Sequence, residues 1–330
     1  MVDAILTLEI QITLLIQAIG SWLVIPMKVF DFMGKSEFYM VVIPAIYWLM
    51  DTGLGLRMAL ILMASASLNH SLKLLFHSPR PYWTSASVTQ YAHETSFGLP
   101  SGHAQIAASV WGYPAVHWKQ RWVRWVSALV IFLYGFSRLY LGVHFLRDVL
   151  LGWALGLLIL LAFTVWQKPV SKWFTSQKMP VQIGAAFLSA LTFIGLSTLF
   201  RAWLGDWQPP AAWAAYVQAD PTSTASPLSM ESVITTAGAW FGLIAGYSWQ
   251  ISSTAVRLYT NLPAKISIRL LRWLVGTVGI LLIYLILSKL FPSGENITGY
   301  ILRFVRYTLI GLWITGLSPW VFKWLRLSAQ

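Results

Sequence analysis

The chain reads as an all-α, polytopic integral membrane protein, and three observations carry that reading. Of its 330 residues 57% are hydrophobic and only 10% charged, against about a quarter charged in soluble domains. Mean hydropathy is +0.64. The apolar residues fall in runs suited to helices of ~20 residues, the length that crosses a ~30 Å hydrocarbon core. Cys is absent, which excludes disulfides, thiolate metal sites and cysteine nucleophiles. A net charge of +12 would suggest nucleic acid in a soluble chain. Here the cations gather instead in loops on one side: Lys119, Arg121 and Arg124; Lys168, Lys172 and Lys178; Arg257, Lys265, Arg269 and Arg272. That is the positive-inside pattern, so they mark a cytoplasmic face and no nucleic-acid partner is expected.

Taken in order, Met1–Gly20 carries Asp3, Glu9, Gln11 and Gln17 and lacks a basic start, so it does not read as a cleaved signal peptide. A first helix is predicted from about Ala4 to Val29, then a short apolar run Glu37–Met50, then Arg57–His77. In the last, His70, Lys73 and His77 share one helical face by their i, i+3, i+7 spacing. Ser78–Leu99 is polar and opens on Pro79-Arg80-Pro81, the composition of a loop outside the bilayer. Spans follow at Ser101–Val116, Val126–Phe145, Asp148–Trp166, Val181–Leu204, Val233–Gln250, Leu271–Phe291 and Gly299–Leu317. The total is about ten spans, counting the first segment. Gly205–Glu231, with acids and prolines but no Lys or Arg, reads as a solvated external linker. Arg303 and Arg306 read as snorkelling cations near the outer end of the last span.

Three polar clusters interrupt this pattern, and the loop counting puts all of them near the outer face. The first is Lys73-x6-Arg80-Pro81, with two cations suited to a phosphoryl group. The second is Pro100-Ser101-Gly102-His103, which opens a helix. A helix start is an anion site, and His103 is placed to act as general acid toward a leaving alkoxide. The third is Ser137-Arg138-x5-His144-x3-Asp148. Four-residue spacing puts His144 and Asp148 on one helical face. A carboxylate on one imidazole nitrogen makes the other a better nucleophile or base. Arg138 offers a planar fork to an anionic oxygen. No carboxylate cluster for Mg²⁺ is visible along the chain, so hydrolysis without a divalent metal is expected.

These three motifs, complete and in order, resemble the tripartite signature of the type 2 phosphatidic acid phosphatase superfamily, which also includes glucose-6-phosphatase and vanadium haloperoxidases. The resemblance spans roughly Arg57–Trp166. It implies a six-helix phosphatase core over residues 1–168 and about four additional transmembrane helices over 169–330. It further implies a metal-independent phosphatase with no cofactor. His144 would attack phosphorus, with Asp148 orienting it. Lys73, Arg80, Ser101, Gly102 and Arg138 would bind the phosphate, and His103 would protonate the leaving group.

The membrane setting favours a lipid phosphate or polyprenyl diphosphate as substrate, with membrane lipids as surroundings. The charge bias fits a bacterial inner membrane with the site on the extracytoplasmic side. A sugar phosphatase resembling glucose-6-phosphatase or a lipid phosphotransferase would use the same residues. A lipid transporter or lipid-binding protein is the non-enzymatic alternative.

Overall fold

The structure, a computed structural model, describes residues 2–211, 213, 226–252, 265–292 and 294–327. Arg257 and part of the Gly205–Glu231 segment, used above, lie outside them. The described residues form helices and no strand. In chain order these are α1 (Val2–Gln17), α2 (Val24–Met33), α3 (Ser36–Ala45), α4 (Thr52–Phe76), α5 (Pro81–Thr84), α6 (Gly102–Ile106), α7 (Gly112–His117), α8 (Arg121–Tyr140), α9 (Leu146–Ser176), α10 (Met179–Leu204), α11 (Glu231–Ser252), α12 (Ile266–Leu290), α13 (Ile297–Leu312) and α14 (Ser318–Trp324). Six of the described helices are long and apolar enough to cross a membrane, or seven with the bent pair at the start counted as one span.

That count is below the ten spans read from the sequence, and the differences have local causes. The first segment breaks at Gly20 and turns through 84°, where glycine alone adopts the observed φ of 128° without strain. The segment after Ser101 is divided into α6, a π turn and α7. The run at 231–252 is helical, but a glycine stripe dilutes its apolarity. A Cβ at Gly238 would sit 2.6 Å from Phe304 O, at Gly242 2.1 Å from Thr308 O, and at Gly246 2.2 Å from Thr315 Oγ1. Small residues on one face let α11 and α13 approach backbone to backbone.

The chain forms two compact units, Met1–Lys35 with Leu68–Ala162 and Ser197–Ser229, and Ser36–Ser67 with Phe163–Leu196 and Met230–Gln330. In the second unit Tyr47, Trp48, Ile280, Ile310 and Phe322 form a buried apolar core. Arg303 there pairs with Glu231 at 2.6 Å, and Arg306 lies over the rings of Tyr284 and Tyr307. Both cations are partnered by the protein instead of snorkelling.

The first unit holds every motif residue. Its inner packing rests on close approach between α9 and α6. A Cβ at Gly152 would meet Ser101 O at 2.7 Å, and one at Gly156 would meet Gln105 O at 2.4 Å. Two glycines four apart thus seat the helix carrying Asp148 directly on the helix carrying His103. Gln17 of α1 donates to Thr89 O at 2.7 Å and Tyr140 O at 3.1 Å, fastening the loop between α5 and α6 to the end of α8.

Candidate active site

His144 stands in the turn between α8 and α9, not on a helix as the spacing suggested. Gly142 makes that turn with φ 71°, a conformation that glycine adopts freely. A Cβ there would also strike Thr89 O at 2.5 Å. Asp148 lies in the first turn of α9, where its Oδ2 accepts from Phe145 N at 3.0 Å and faces His144 Nδ1 at 3.3 Å. With Asp148 as acceptor in this pair, Nδ1 carries the hydrogen and Nε2 presents the lone pair. Both side chains are buried. Burial first, and then the charges of Arg80 and Lys73, holds the His144 imidazole well below the ordinary histidine range. It therefore stays neutral as pH falls through that range.

Arg80 is the hub of the residues that the sequence predicts to bind phosphate. Fully buried, it donates from Nε to Ser96 O at 2.6 Å, from Nη1 to Val143 O at 2.8 Å and from Nη2 to Phe97 O at 3.1 Å. Nη1 also lies 3.3 Å from His144 Nε2. Lys73 reaches the same loop, donating to Ser96 Oγ and Phe97 O, each at 2.8 Å. Gly98 is held between them, its N donating to Ser78 O at 2.9 Å. A Cβ at Gly98 would fall 2.6 Å from Pro79 O and 3.1 Å from Asp148 Oδ2.

Ser101 N donates to Asp148 O at 2.9 Å, which ties the second motif to the third. Its hydroxyl caps α6 by accepting from Ala104 N. Gly102 faces Asn69, whose Oδ1 a Cβ would meet at 2.9 Å. Asn69 in turn donates to Pro100 O at 3.2 Å and Gln105 Oε1 at 2.8 Å, holding the start of α6. All eight predicted residues thus lie in one connected, buried or half-buried cluster of the first unit.

Two residues that sequence reading missed complete it. Arg138 donates from Nη1 to Asp31 of α2 and from Nη2 to Glu94 of the loop between α5 and α6. Glu94 also faces Arg80 at 3.5 Å. Burial pushes the Glu94 carboxyl up, but Arg138 and Arg80 outweigh it and leave it well below the usual carboxylate range. The sequence showed no carboxylate cluster; the fold makes one, with ligand atoms of Asp31, Glu94 and His103 within 4.8 Å of one another. Such a set is close enough for one cation, yet the Arg138 guanidinium bonded to both carboxylates already supplies the positive charge. Neither acid had a spacing signal, since Asp31 is 107 positions and Glu94 44 positions from Arg138.

A second ion-pair chain backs the His144 pair. Glu9 of α1 accepts from Arg147 N at 3.4 Å and pairs with its Nη1 at 3.0 Å, while Arg147 Nε lies 3.8 Å from Asp148 Oδ1. Of the other four histidines, His70 is buried on α4 with no hydrogen-bond partner at Nε2 among the described residues, and three are engaged elsewhere. His77 faces the Phe97 ring, His93 lies near Gln90 and His117 stacks on Tyr113. The loop after α10, expected as a solvated linker, sets Trp207 edge-on to Phe97 at 5.0 Å and Trp213 beside Trp83.

With this geometry in hand, comparison with known proteins is informative. Residues 54–172 match the PAP2 superfamily, and residues 234–330 match the PAP2 superfamily phosphatase transmembrane extension. Phosphatidylglycerophosphatase B of Bacillus subtilis is 33% identical over 153 residues, covering 42% of this chain and 72% of that protein. Sphingosine-1-phosphate phosphatase 1 of Rattus norvegicus is 25% identical over 142 residues, 40% of this chain but only 32% of that longer protein. Among solved structures, the PAP2 type phosphatidylglycerolphosphate phosphatase of Bacillus subtilis aligns at 30% identity and TM-score 0.44, over 51% of this chain and 88% of that one. Aquifex aeolicus LpxE aligns at 22% identity and TM-score 0.41, over 46% and 92%. On the matched motif-bearing segment and the extent of identity to the Bacillus phosphatase, the chain belongs to the PAP2 superfamily and is a membrane-integral phosphoric ester hydrolase.

Proposed function

We propose that this enzyme dephosphorylates a lipid phosphate, or a polyprenyl diphosphate, at the outer surface of a bacterial inner membrane through a phosphohistidine. One observation carries the reading. His144 holds Nδ1 against Asp148 and turns Nε2 toward the Arg80 guanidinium, within a cluster that also contains Lys73, Arg138 and His103. Nε2 attacks phosphorus and the phosphorus–oxygen ester bond breaks. The leaving oxygen takes a proton from His103, and Lys73, Arg80 and Arg138 balance charge on the equatorial oxygens. Water then attacks the phosphohistidine, giving its proton to His103, and inorganic phosphate leaves. The named relatives act on phosphatidylglycerophosphate and sphingosine-1-phosphate, lipid monoesters, which supports that class for this chain.

The test is phosphate release by the purified full chain in detergent, from phosphatidylglycerophosphate, phosphatidic acid, a polyprenyl diphosphate and glucose 6-phosphate. A lipid substrate should lead by about tenfold or more in kcat/KM, the scale of differential binding energy from an apolar chain. Glucose 6-phosphate leading the panel would overturn the lipid reading. Activity should be undiminished in excess EDTA, because three cations of the chain do the work of a metal. Abolition by EDTA with rescue by Mg²⁺ would refute the mechanism.

Sidedness is tested separately. Ser87 lies in the external loop and Ser176 at the end of α9. Single cysteines placed there, in a chain with none, should react with an impermeant maleimide in intact cells at position 87 only. Labelling at position 176 alone would reverse the orientation.

A further inference from the structure

The family match begins at residue 54, yet a wall of the site comes from α2, upstream of it. Asp31 is 6% exposed, and its carboxylate takes one arm of Arg138 while pairing with Lys35 at 3.2 Å. The same residue faces the general acid. His103 Nε2 lies 3.1 Å from the Asp31 backbone oxygen and 3.8 Å from its Oδ1. The end of α2 is shaped to receive that ring, for a Cβ at Gly34 would fall 1.9 Å from His103 Cδ2. Tyr134 of α8 donates to Met33 O at 2.7 Å, so this turn is also fastened to the helix that carries Arg138.

We propose that Asp31 is a positioning residue for the proton-transfer step, holding His103 and Arg138 in register at the leaving-group side. This rests on the reading of His103 as general acid. A protonated imidazole beside the Arg138 guanidinium is a like-charge contact in a buried setting. A carboxylate touching both cations offsets it, whereas a neutral side chain of the same shape does not. Asp31→Asn keeps the shape and an acceptor for Arg138 while removing the charge. Its effect should therefore fall on substrates that need the acid and spare those that do not.

The experiment measures kcat and KM of the full chain in detergent on phosphatidic acid, whose leaving group is an alkoxide, and on p-nitrophenyl phosphate, whose leaving group needs little protonation. Asp31→Asn should lose about tenfold or more in kcat on the first and under about threefold on the second, as befits partial loss of acid catalysis. In a His103→Ala background the same substitution should add no further selective loss. Equal losses on both substrates, or a selective loss that persists in His103→Ala, would overturn the proposal. If His103→Ala is itself indifferent to the leaving group, the acid assignment fails and this inference with it. If only Asp31→Asn is indifferent, the acid stands and Asp31 is excluded. Should Asp31→Asn not yield a monodisperse protein, Asp31→Glu decides. Hydrolysis of phosphatidic acid within about fivefold of wild type would uphold the carboxylate's role. Parallel loss on both substrates would overturn it.

Discussion

His144→Ala is expected to be inactive on every phosphate ester, with kcat lower by about 10⁴-fold or more, the scale on which removal of a nucleophile is felt. The prediction follows from the position of Nε2, which faces the Arg80 guanidinium at 3.3 Å while Nδ1 is held by Asp148. No other described imidazole is so placed: His103 sits against Asp31. The direct readout is phosphate trapped on the protein, acid-labile and base-stable, formed by wild type and absent in His144→Ala. A label that persists in His144→Ala and vanishes in His103→Ala would exchange the two roles. Asp148→Asn should be impaired less than His144→Ala, because it keeps the contact to Phe145 N while weakening the charge support of the imidazole.

Arg80→Ala should cost both activity and stability, a combination His144→Ala should not show. The guanidinium is fully buried and satisfies the carbonyls of Ser96, Phe97 and Val143. Truncation strands the Ser96 and Val143 carbonyls, leaves Phe97 O to Lys73 alone, and leaves Glu94 with one fewer cation. Removing one partner of such a buried charged network costs about 3–5 kcal/mol. The fraction of protein remaining soluble after heating in detergent should fall at a clearly lower temperature than for wild type. Hydrolysis should drop by about 10³-fold, since a phosphate-clamping charge next to the nucleophile is lost. Arg80→Lys should retain part of the stability but little of the rate, because one ammonium cannot reach three divergent carbonyls and an oxyanion together. Wild-type thermal behaviour in Arg80→Ala would show that the external loop does not depend on this hub.

The membrane class and the helical character were legible from the chain because both are local and additive. Apolar content over ~20 residues decides whether a segment suits the bilayer. The three motifs were legible for a related reason: Lys73 and Arg80, Ser101 to His103, and Arg138 to Asp148 each sit at short fixed spacings, although His144 stands in a turn and not on the helix that its spacing suggested. Local reading failed where close approach changes the helix itself. The bend at Gly20 and the interruption between α6 and α7 leave no hydropathy signal. Neither does the glycine pair Gly152 and Gly156 that seats α9 on α6.

Tertiary structure alone decided which groups neutralise the site's cations. A carboxylate carries no periodic or spacing mark for its partner. Glu9, Asp31 and Glu94 were therefore isolated acids in two apolar helices and a loop until folding placed them at Arg147, Arg138 and Arg80. For Arg138 and Arg80, both fully buried, those pairings are obligatory, since an arginine removed from water without a counter-charge is too costly to keep. The chain's own residues dictate where the positive charges of the site stand, and the packing of the N-terminal helices and the loop between α5 and α6 around them chooses the acids that answer.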